Sequence, residues 1–329
     1  MPVVSVATSP DAIEALARPW SRLARESASA TPFQSDAWLL PWMHHMRIEE
    51  PCVVVVREGT DVVGLAPLFA RRHSPGRTFA LLGAGVSDRL DLLAAPGFED
   101  AATEALGEWL DGEQASWDAC VFEELGPRAL LRDVRPPPGR SRTLVAQSVC
   151  PVLVLSPSSR GWGGGVPASQ WPKLRKNRRR AETLGAFTLE RADRTGPIAA
   201  LEVLFALHAK RWEQRGEAGV LADPAVRALH RDAALRFGAR GELRIYVASI
   251  GGRPAAVVYG MRRGPRLYLY LNGIEPELER ASPGTLALGG AIEDAMAEGV
   301  TEVDFLRGNE AYKYAWGAVD EINVCLTLA

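Results

Sequence analysis

The chain has 329 residues, of which 47% are hydrophobic and 24% are charged, and its formal net charge is −2. This composition is ordinary for a globular protein, and the length provides enough chain for two domains with sizeable cores. A net charge this close to zero argues against a general nucleic-acid-binding protein, and DNA is not an expected partner.

Membrane insertion and secretion find no support in the sequence. No apolar run approaches the roughly 20 residues that a membrane-spanning helix needs. The amino terminus carries Asp11 and Glu14 but lacks a basic region followed by a long apolar core, so it does not resemble a signal peptide. The four cysteines form no C-x-x-C pair, which argues against a disulfide framework or a zinc site. We therefore expect a cytoplasmic protein with no bound metal, and the sequence specifies no oligomeric state.

Two segments of similar pattern indicate an internal repeat. Residues Cys52–Arg71 and Leu243–Arg262 each show an apolar run, a tight turn and a second apolar run, which is typical of a β-hairpin. Another strand, a helix and a further strand follow in the first half, at Arg77–Leu93, Glu99–Leu110 and Trp117–Glu123. The second half repeats this order, which favours a duplicated α/β lobe over a chance likeness.

Two segments rich in proline or glycine could join these lobes. Pro136–Gly139 is stiff, whereas Ser156–Gly165 is flexible. We place the boundary in the second segment, with Thr143–Leu155 as the last strand of the first lobe, so the expected domains are residues 1–160 and 161–329. Asp88 would lie at or beyond a strand end of the first lobe, where it either caps a turn or faces a cleft between the lobes and holds a cationic acceptor.

Positive charge is concentrated after residue 160. Residues 1–160 contain 15 Lys and Arg against 20 Asp and Glu, whereas the remainder contains 23 against 20. Much of the excess lies in Lys173–Arg180, which on a helix would surround most of the circumference with mutually repelling cations. Two interpretations stay open: a solvated helix balanced by acids of the other lobe, or a clamp in which Arg178 and Arg179 grip a phosphate-bearing substrate.

The helix predicted at Leu201–Arg215 carries a histidine on its apolar face. His208 shares that face with Leu201, Leu204 and Phe205. This position favours a histidine at the edge of the core that is hydrogen-bonded to a carbonyl.

A strand, a glycine-containing turn and a helix come next in the chain. Arg266–Ile274 is predicted as a strand, Glu275–Ala281 as a polar loop, and a helix opens with Ser282-Pro283-Gly284-Thr285. Proline suits the first helical turn, and the serine oxygen is expected to cap free amides there. Gly284 lets backbone N–H groups approach a ligand closely, and the positive end of a helix suits a pyrophosphate.

The chain end concentrates groups that can transfer protons. Strand-like Val300–Leu306 runs into an Arg-Gly turn, and Glu310, Tyr312, Lys313 and Tyr314 follow within about one helical turn of each other. These residues predict either a packed helical lid with solvated charges or a catalytic segment at the carboxyl end of a strand.

This order of elements resembles the GNAT acyltransferase superfamily, in which a Q/R-x-x-G-x-G/A loop before a helix holds the pyrophosphate of coenzyme A. Here Arg280–Ala287 occupies that place, with one of the two glycines. Within the superfamily the chain is most similar to the CelD/BcsL group and the related FemAB-type double-GNAT proteins. The residues that carry this resemblance are Phe33-Gln34-Ser35, Trp38, Ser87-Asp88, His208, Arg211-Trp212, Ser282-Pro283-Gly284, Asp304-Phe305-Leu306-Arg307-Gly308 and Tyr312-Lys313.

The resemblance implies an α/β fold of two tandem GNAT-like lobes, each a mixed, mostly antiparallel sheet flanked by helices. It implies an acyltransferase whose chemistry lies in the second lobe, with acetyl-CoA or another acyl-CoA as donor. The implied acceptor is an amine or hydroxyl on a small molecule or on a sugar- or peptide-linked compound. Cofactor-binding residues would be Arg280, Ser282, Gly284 and Thr285.

The resemblance also implies roles for individual side chains. In many GNAT enzymes a tyrosine on the helix after the fifth strand protonates the departing thiolate, and Tyr312 or Tyr314 stands there. Glu310, Asp304 or His208 would then be the base. The remaining substrate-binding candidates are Asp88, Arg178, Arg179, Trp212 and Lys313.

Two rival functions stay open from the sequence. A FemAB-like transferase that uses aminoacyl-tRNA is favoured by the basic run and by the degenerate coenzyme loop. A non-catalytic carrier-binding or assembly protein of polysaccharide synthesis is favoured by the missing second glycine.

Overall fold

A computed structural model of the protein describes residues 2–73, 76–156, 164–214 and 216–329. The chain divides into two compact units, one formed by Met1–Val149 with Glu321–Ala329 and the other by Cys150–Asp320. The predicted boundary between residues 160 and 161, and most of the flexible joining segment, lie outside the described residues.

Nine helices and thirteen strands form the described chain. The helices are α1 (Pro10–Glu14), α2 (Ala17–Glu26), α3 (Asp36–His45), α4 (Glu99–Gly112), α5 (Gln170–Glu182), α6 (Pro197–Glu213), α7 (Pro224–Ala239), α8 (Pro283–Ala297) and α9 (Ala311–Ala315). The strands are β1 (Val3–Ala7), β2 (Pro51–Glu58), β3 (Asp61–His73), β4 (Gly76–Leu81), β5 (Leu93–Ala94), β6 (Ala119–Leu125), β7 (Arg142–Val154), β8 (Phe187–Arg191), β9 (Leu243–Ile250), β10 (Arg253–Arg263), β11 (Arg266–Ile274), β12 (Glu302–Asp304) and β13 (Val319–Leu328).

The sheet of the first unit has the order β1-β2-β3-β4-β6-β13-β7, with β5 paired to β3. Its β4–β6 pair is parallel, whereas β1–β2, β2–β3 and β3–β4 are antiparallel. Strand β2 contains four consecutive valines, and all four are buried. Their side chains point alternately to the two faces of the sheet, so both faces are covered there. Gly64 on β3 lets α4 approach closely, because a Cβ there would lie 2.8 Å from that of Ala102.

The sheet of the second unit begins with the carboxyl end of β7 and continues β12-β11-β10-β9-β8. Only β11–β12 is parallel among the described pairs of this sheet. Helix α8 packs on one face, where Ala287, Leu288 and Ala291 share a core with β9, β10 and β11. Helix α6 packs on β11 where Gly273 leaves room, because a Cβ there would lie 2.8 Å from Cβ of Leu207.

The two units confirm the predicted repeat. Each contains a hairpin, a third strand, a long helix and a strand parallel to the third: β2-β3-β4-α4-β6 in one and β9-β10-β11-α8-β12 in the other. The hairpin turn at Gly251-Gly252 has positive φ at both residues, 58° and 78°, the conformation that glycine adopts without strain. Both sheets are mixed and flanked by helices, as predicted.

Candidate functional site

A cavity of about 240 Å³ lies inside the second unit, beside the part of β11 that β12 does not pair. Pairing between these two strands ends at Tyr268 and Asp304, although β11 continues to Ile274. The cavity begins where that pairing ends. Its lining comes from α6, β10, β11, α8, α9 and the segments next to them. The lining residues are Arg211, Val258, Leu269, Leu271, Asn272, Ile274, Glu279, Gly284, Thr285, Leu288, Phe305, Tyr312 and Trp316.

The amino terminus of α8 forms one wall of this cavity. Gly284 and Thr285, two of the predicted cofactor-binding residues, line it. A helix amino terminus presents unpaired N–H groups and partial positive charge, which suit an anionic ligand. Gly284 also has a packing role, because a Cβ there would lie 2.5 Å from Cδ1 of Ile274 on β11. The absence of a side chain therefore brings the helix end close to the strand.

The two other predicted cofactor-binding residues do not line the cavity. Ser282 adopts a left-handed conformation, with φ 54° and ψ 46°, and its side chain makes no capping hydrogen bond, so the predicted serine cap is wrong. Arg280 is exposed, and its backbone carbonyl accepts a hydrogen bond of 2.9 Å from Arg180 of α5.

Tyr312 is the predicted catalytic residue that the structure places in the cavity. Its ring meets that of Phe305 edge-on at 6.5 Å between centroids, and its hydroxyl oxygen accepts a hydrogen bond of 3.3 Å from Nδ2 of Asn272. Although Tyr312 is 39% exposed, desolvation of its hydroxyl beside the cavity raises its pKa to about 12, with a further contribution from the Glu310 carboxylate. The phenol is therefore protonated at neutral pH, the state that a general acid requires.

Tyr314, the alternative tyrosine, does not line the cavity. Its hydroxyl is hydrogen-bonded to Asp320, and this bond raises its pKa above the ordinary value. The phase of α9 therefore favours Tyr312 as the residue that can face a substrate.

Asp304 and Lys313 stabilise the loop between β12 and α9. Asp304 is fully buried, lies 3.2 Å from Nη1 of Arg266, and accepts the backbone N–H of Leu306, which has a φ of 55°. Lys313 is 2% exposed, and its ammonium donates to the carbonyls of residues 306, 307 and 308 at 2.6–3.1 Å. These three bonds hold the loop together, and the predicted role of Lys313 in binding phosphate or carboxylate stays a prediction.

Glu310 precedes α9 and is exposed. Its carboxylate lies 3.0 Å from Nζ of Lys313 and does not line the cavity, although it is near enough to Tyr312 to raise the tyrosine pKa. Three of the four predicted catalytic residues are thus placed. Tyr312 lines the cavity, the Glu310 carboxylate lies near Tyr312, and Asp304 is buried in the core.

His208, the fourth candidate, is paired with Trp212. Its Nε2 accepts a hydrogen bond of 2.8 Å from the indole N–H of Trp212. Neither His208 nor Trp212 lines the cavity. Burial, with help from the Arg211 charge, lowers the pKa of His208 to about 4. In this arrangement the ring is neutral and the lone pair on Nε2 is already used, so the roles of His208 as a base and of Trp212 in binding substrate stay predictions.

The two buried histidines predict how stability depends on pH. Burial lowers the pKa of His230 to about 3, as it lowers that of His208 to about 4. Both values lie below the ordinary 6.5, so the unfolded chain binds more protons between pH 6.5 and 4 and the free energy of unfolding falls as the pH falls. We expect each histidine to contribute a loss on the order of 2 kcal/mol between pH 7 and pH 5 in urea unfolding.

The variant His230→Gln should therefore lose less stability over this pH interval than the parent protein. Comparing each protein with itself at two pH values removes the general cost of the substitution. An equal fall in both proteins would show that His230 does not titrate as described.

Three polar cavity residues were not assigned roles from the sequence. Arg211 and Asn272 lie 61 residues apart in sequence and form a hydrogen bond of 3.4 Å, and Glu279 lines the cavity from the segment before α8. In the sequence, Arg211 was marked only because the Arg211-Trp212 pair is among the residues that carry the family resemblance. Asn272 lies beyond Tyr268, where β11 loses its β12 partner, and no local sequence pattern marked it.

The basic run forms most of α5, with its polar surface exposed. Gln170, Asn177 and Ala181 supply the buried face. Arg178 is paired with Glu182 at 3.1 Å, whereas Arg179 is exposed. Neither arginine lines the cavity, but the bond from Arg180 to the carbonyl of residue 280 places this helix next to the segment that leads into α8.

Asp88 belongs to a buried hydrogen-bond network of the first unit. It is 6% exposed, and its backbone carbonyl accepts a hydrogen bond of 2.8 Å from Asn323. Next to it, Ser87 accepts the indole N–H of Trp38 at 2.9 Å, and Gln34 donates to the carbonyl of Arg89 at 2.8 Å. The structure thus places Asp88 among buried residues of the first unit, and its role in holding a cationic acceptor stays a prediction.

Among the residues that the structure describes, no helix combines the length and apolarity needed to cross a membrane. Within the same residues, no group of three or more His, Cys, Asp or Glu side chains is arranged to hold a metal ion.

The second unit is similar to a known family of domains. Residues 168–314 match the family described as acetyltransferase (GNAT) domain. The matched segment is 147 of the 329 residues. The matched segment includes every residue that lines the cavity except Trp316. None of the curated proteins matches the chain by sequence.

Solved structures extend the likeness to almost the whole chain. FemX superposes with a TM-score of 0.65 at 11% identity, covering 94% of this chain and 95% of that one. A conserved protein of unknown function from Bacteroides thetaiotaomicron gives 0.62 at 12% identity, covering 95% and 96%. The C-terminal domain of a putative lysylphosphatidylglycerol synthetase from Agrobacterium fabrum gives 0.59 at 9% identity, covering 95% and 91%. At these identities the likeness concerns the fold, and it confirms the predicted class of two tandem GNAT-like lobes. The CelD/BcsL assignment within that class stays a prediction.

Proposed function

We propose that the protein is an acyltransferase that moves an acyl group from an acyl-CoA thioester to an amine or hydroxyl acceptor. The observation that carries this proposal is the cavity at the end of the β11–β12 pairing, which brings an apolar slot, a helix amino terminus and a protonated tyrosine together in a unit that is similar to GNAT domains.

The two ends of the cavity suit the two ends of an acyl thioester. Gly284 and Thr285 at the start of α8 would meet the pyrophosphate, because N–H groups and the helix dipole favour negative charge there. Leu269, Leu271 and Leu288 would contact the apolar arm of the donor. The part of β11 beyond Tyr268 offers main-chain N–H groups of the kind that stabilise an oxyanion.

In the proposed reaction the acceptor attacks the thioester carbonyl directly. The new bond joins the acceptor nitrogen or oxygen to the carbonyl carbon, and the carbon–sulfur bond breaks. The hydroxyl proton of Tyr312 passes to the departing thiolate, and solvent later restores it. Glu310 is our candidate for receiving the acceptor proton, because it is exposed beside the segment that carries Tyr312.

The proposal is tested by supplying the donor and following the label. Purified protein is incubated with acetyl-CoA labelled in its acetyl group and a panel of amines, sugars and peptides, and products are identified by mass spectrometry. Transfer above the rate of a Tyr312→Phe variant supports the proposal. Binding of neither acetyl-CoA nor longer acyl-CoA thioesters in calorimetry would overturn it.

A second candidate is a FemAB-like transferase that uses aminoacyl-tRNA. The observation that favours it is the exposed basic surface of α5, which lies next to the segment leading into α8 and is larger than a single pyrophosphate needs. Labelled aminoacyl-tRNA in place of acetyl-CoA separates the two candidates. Transfer from neither donor would favour the non-catalytic alternative of polysaccharide synthesis.

Substitution on α5 tests whether its charge serves a ligand. We expect Lys176→Gln combined with Arg179→Gln to raise the KM of a phosphate-bearing substrate several-fold at low salt and to reduce its salt dependence, because fewer ion contacts are then formed. Thermal stability should change little, since both side chains are exposed. The matched control is Arg178→Gln, which removes a cation already paired with Glu182. An unchanged KM with a clear loss of stability would show that the helix surface has a structural role.

A further inference from the structure

A chain of three polar side chains crosses the cavity wall. Arg211 of α6 donates from Nη1 to Oδ1 of Asn272 at 3.4 Å, and Asn272 of β11 donates from Nδ2 to the hydroxyl oxygen of Tyr312 at 3.3 Å. All three line the cavity. Both hydrogen bonds are long, as catalytic hydrogen bonds often are before a substrate binds and draws the groups together.

The guanidinium group of Arg211 fixes which atoms donate and which accept in these two hydrogen bonds. A guanidinium group can only donate, so the amide oxygen of Asn272 must face Arg211. The amide NH₂ group then has to face Tyr312, whose oxygen accepts. The hydroxyl proton of Tyr312 is consequently not used in this bond and is left for another partner.

We infer that Asn272 is a positioning residue: held in one orientation by Arg211, it directs the hydroxyl proton of Tyr312 towards the reacting atoms in the cavity. The inference rests on the proposed function, because it concerns the group that would protonate the departing thiolate. If the amide were free to turn over, its oxygen would face Tyr312 and would accept the proton that the reaction needs.

Asn272 has a second effect on the same group. Its hydrogen bond lowers the pKa of Tyr312, as does the charge of Arg211, whereas desolvation and the Glu310 carboxylate raise it. An N–H donor also stabilises the negative charge that develops on the phenol oxygen as the proton leaves. Both effects favour proton transfer from Tyr312.

The sharpest substitution is Asn272→Asp, which keeps the shape of the side chain but replaces the donor by an acceptor. Tyr312 would then donate its proton to the new carboxylate. We expect kcat to fall about 10- to 100-fold with the KM of the donor unchanged, because the acid is withdrawn while the apolar slot is intact. Asn309→Asp is the matched control: it adds the same charge at an exposed position outside the cavity lining and should leave kcat within about twofold.

A second measurement needs no donor and separates this inference from the proposed function. Tyrosine labelled with ¹³C at Cζ gives six resonances, and the one that disappears in Tyr312→Phe belongs to Tyr312. We expect this resonance to shift in Asn272→Asp and in Asn272→Ala, and to titrate at higher pH in both, since the donor is lost. An unmoved resonance in both variants would show that Asn272 does not act on the phenol.

The combined outcomes are distinguishable. A shifted Tyr312 resonance in a protein that transfers no acyl group from any donor supports the positioning role and counts against the proposed function. Observed acyl transfer with an unmoved resonance and an unchanged kcat in Asn272→Asp overturns the inference and leaves the proposed function standing.

Discussion

Replacing Tyr312 by Phe is expected to lower kcat by about 10²–10⁴-fold, the usual contribution of a general acid, with little change in donor affinity. The substitution removes the hydroxyl that would protonate the thiolate and keeps the ring that packs edge-on against Phe305. Because the interaction is made in the transition state, kcat and kcat/KM should fall together. Steady-state kinetics with the identified acceptor, and calorimetry with the donor, measure the two quantities separately.

Tyr314→Phe is the matched control for this prediction. Tyr314 lies two residues away on the same short helix, but its hydroxyl bonds Asp320 and does not line the cavity. We expect it to leave kcat within about threefold. A large loss in Tyr314→Phe, or no loss in either variant, would exclude Tyr312 as the acid.

Elements with a local signal were predictable from the sequence. The predicted strand Arg266–Ile274 coincides with β11, and the predicted helix start at Pro283 coincides with that of α8. Alternation, glycine turns and a proline at the first helical position act over a few residues and need no tertiary contact. The internal repeat was predictable because the same strand, turn and helix signals appear in both halves of the sequence.

Side-chain roles that depend on distant partners were not predictable in this way. Lys313 was a candidate for binding substrate because lysine is scarce here, yet its ammonium closes the loop after β12. Asp304 was a candidate base, yet it pairs with Arg266, which lies 38 residues earlier in sequence. The sequence shows that an ionisable group is present, but it does not show which distant groups contact that group in the fold. Arg211 and Asn272 were overlooked for the same reason.

The residues of the first unit that support the GNAT resemblance prove to have structural roles. Trp38 bonds Ser87, and Gln34 joins the carbonyl of Arg89 to the backbone N–H of Thr31. Buried polar groups must be paired, so such a network constrains residue identity as strongly as catalysis does. A family pattern therefore identifies the fold here and does not by itself identify the reacting groups.

Replacing Gly284 by Val is expected to weaken donor binding about tenfold or more, which corresponds to about 1.4 kcal/mol. A Cβ at this position would lie 2.5 Å from Cδ1 of Ile274, so Ile274 must move, and both residues line the cavity. The added methyl groups and the displaced isoleucine would occupy part of a space of about 240 Å³. Calorimetric titration with acyl-CoA measures the effect.

Gly290→Val separates loss of the cavity from general strain in α8. It lies on the same helix, where a Cβ would meet the terminal Cδ2 of Leu189, and it does not line the cavity. Both substitutions force the end of one aliphatic side chain to move, and both place valine where glycine stood in a helix. We therefore expect similar losses of thermal stability in the two variants and loss of donor binding in Gly284→Val alone. If both variants bind the donor as the parent protein does, the thioester does not occupy this cavity, and the site assignment at the start of α8 is wrong.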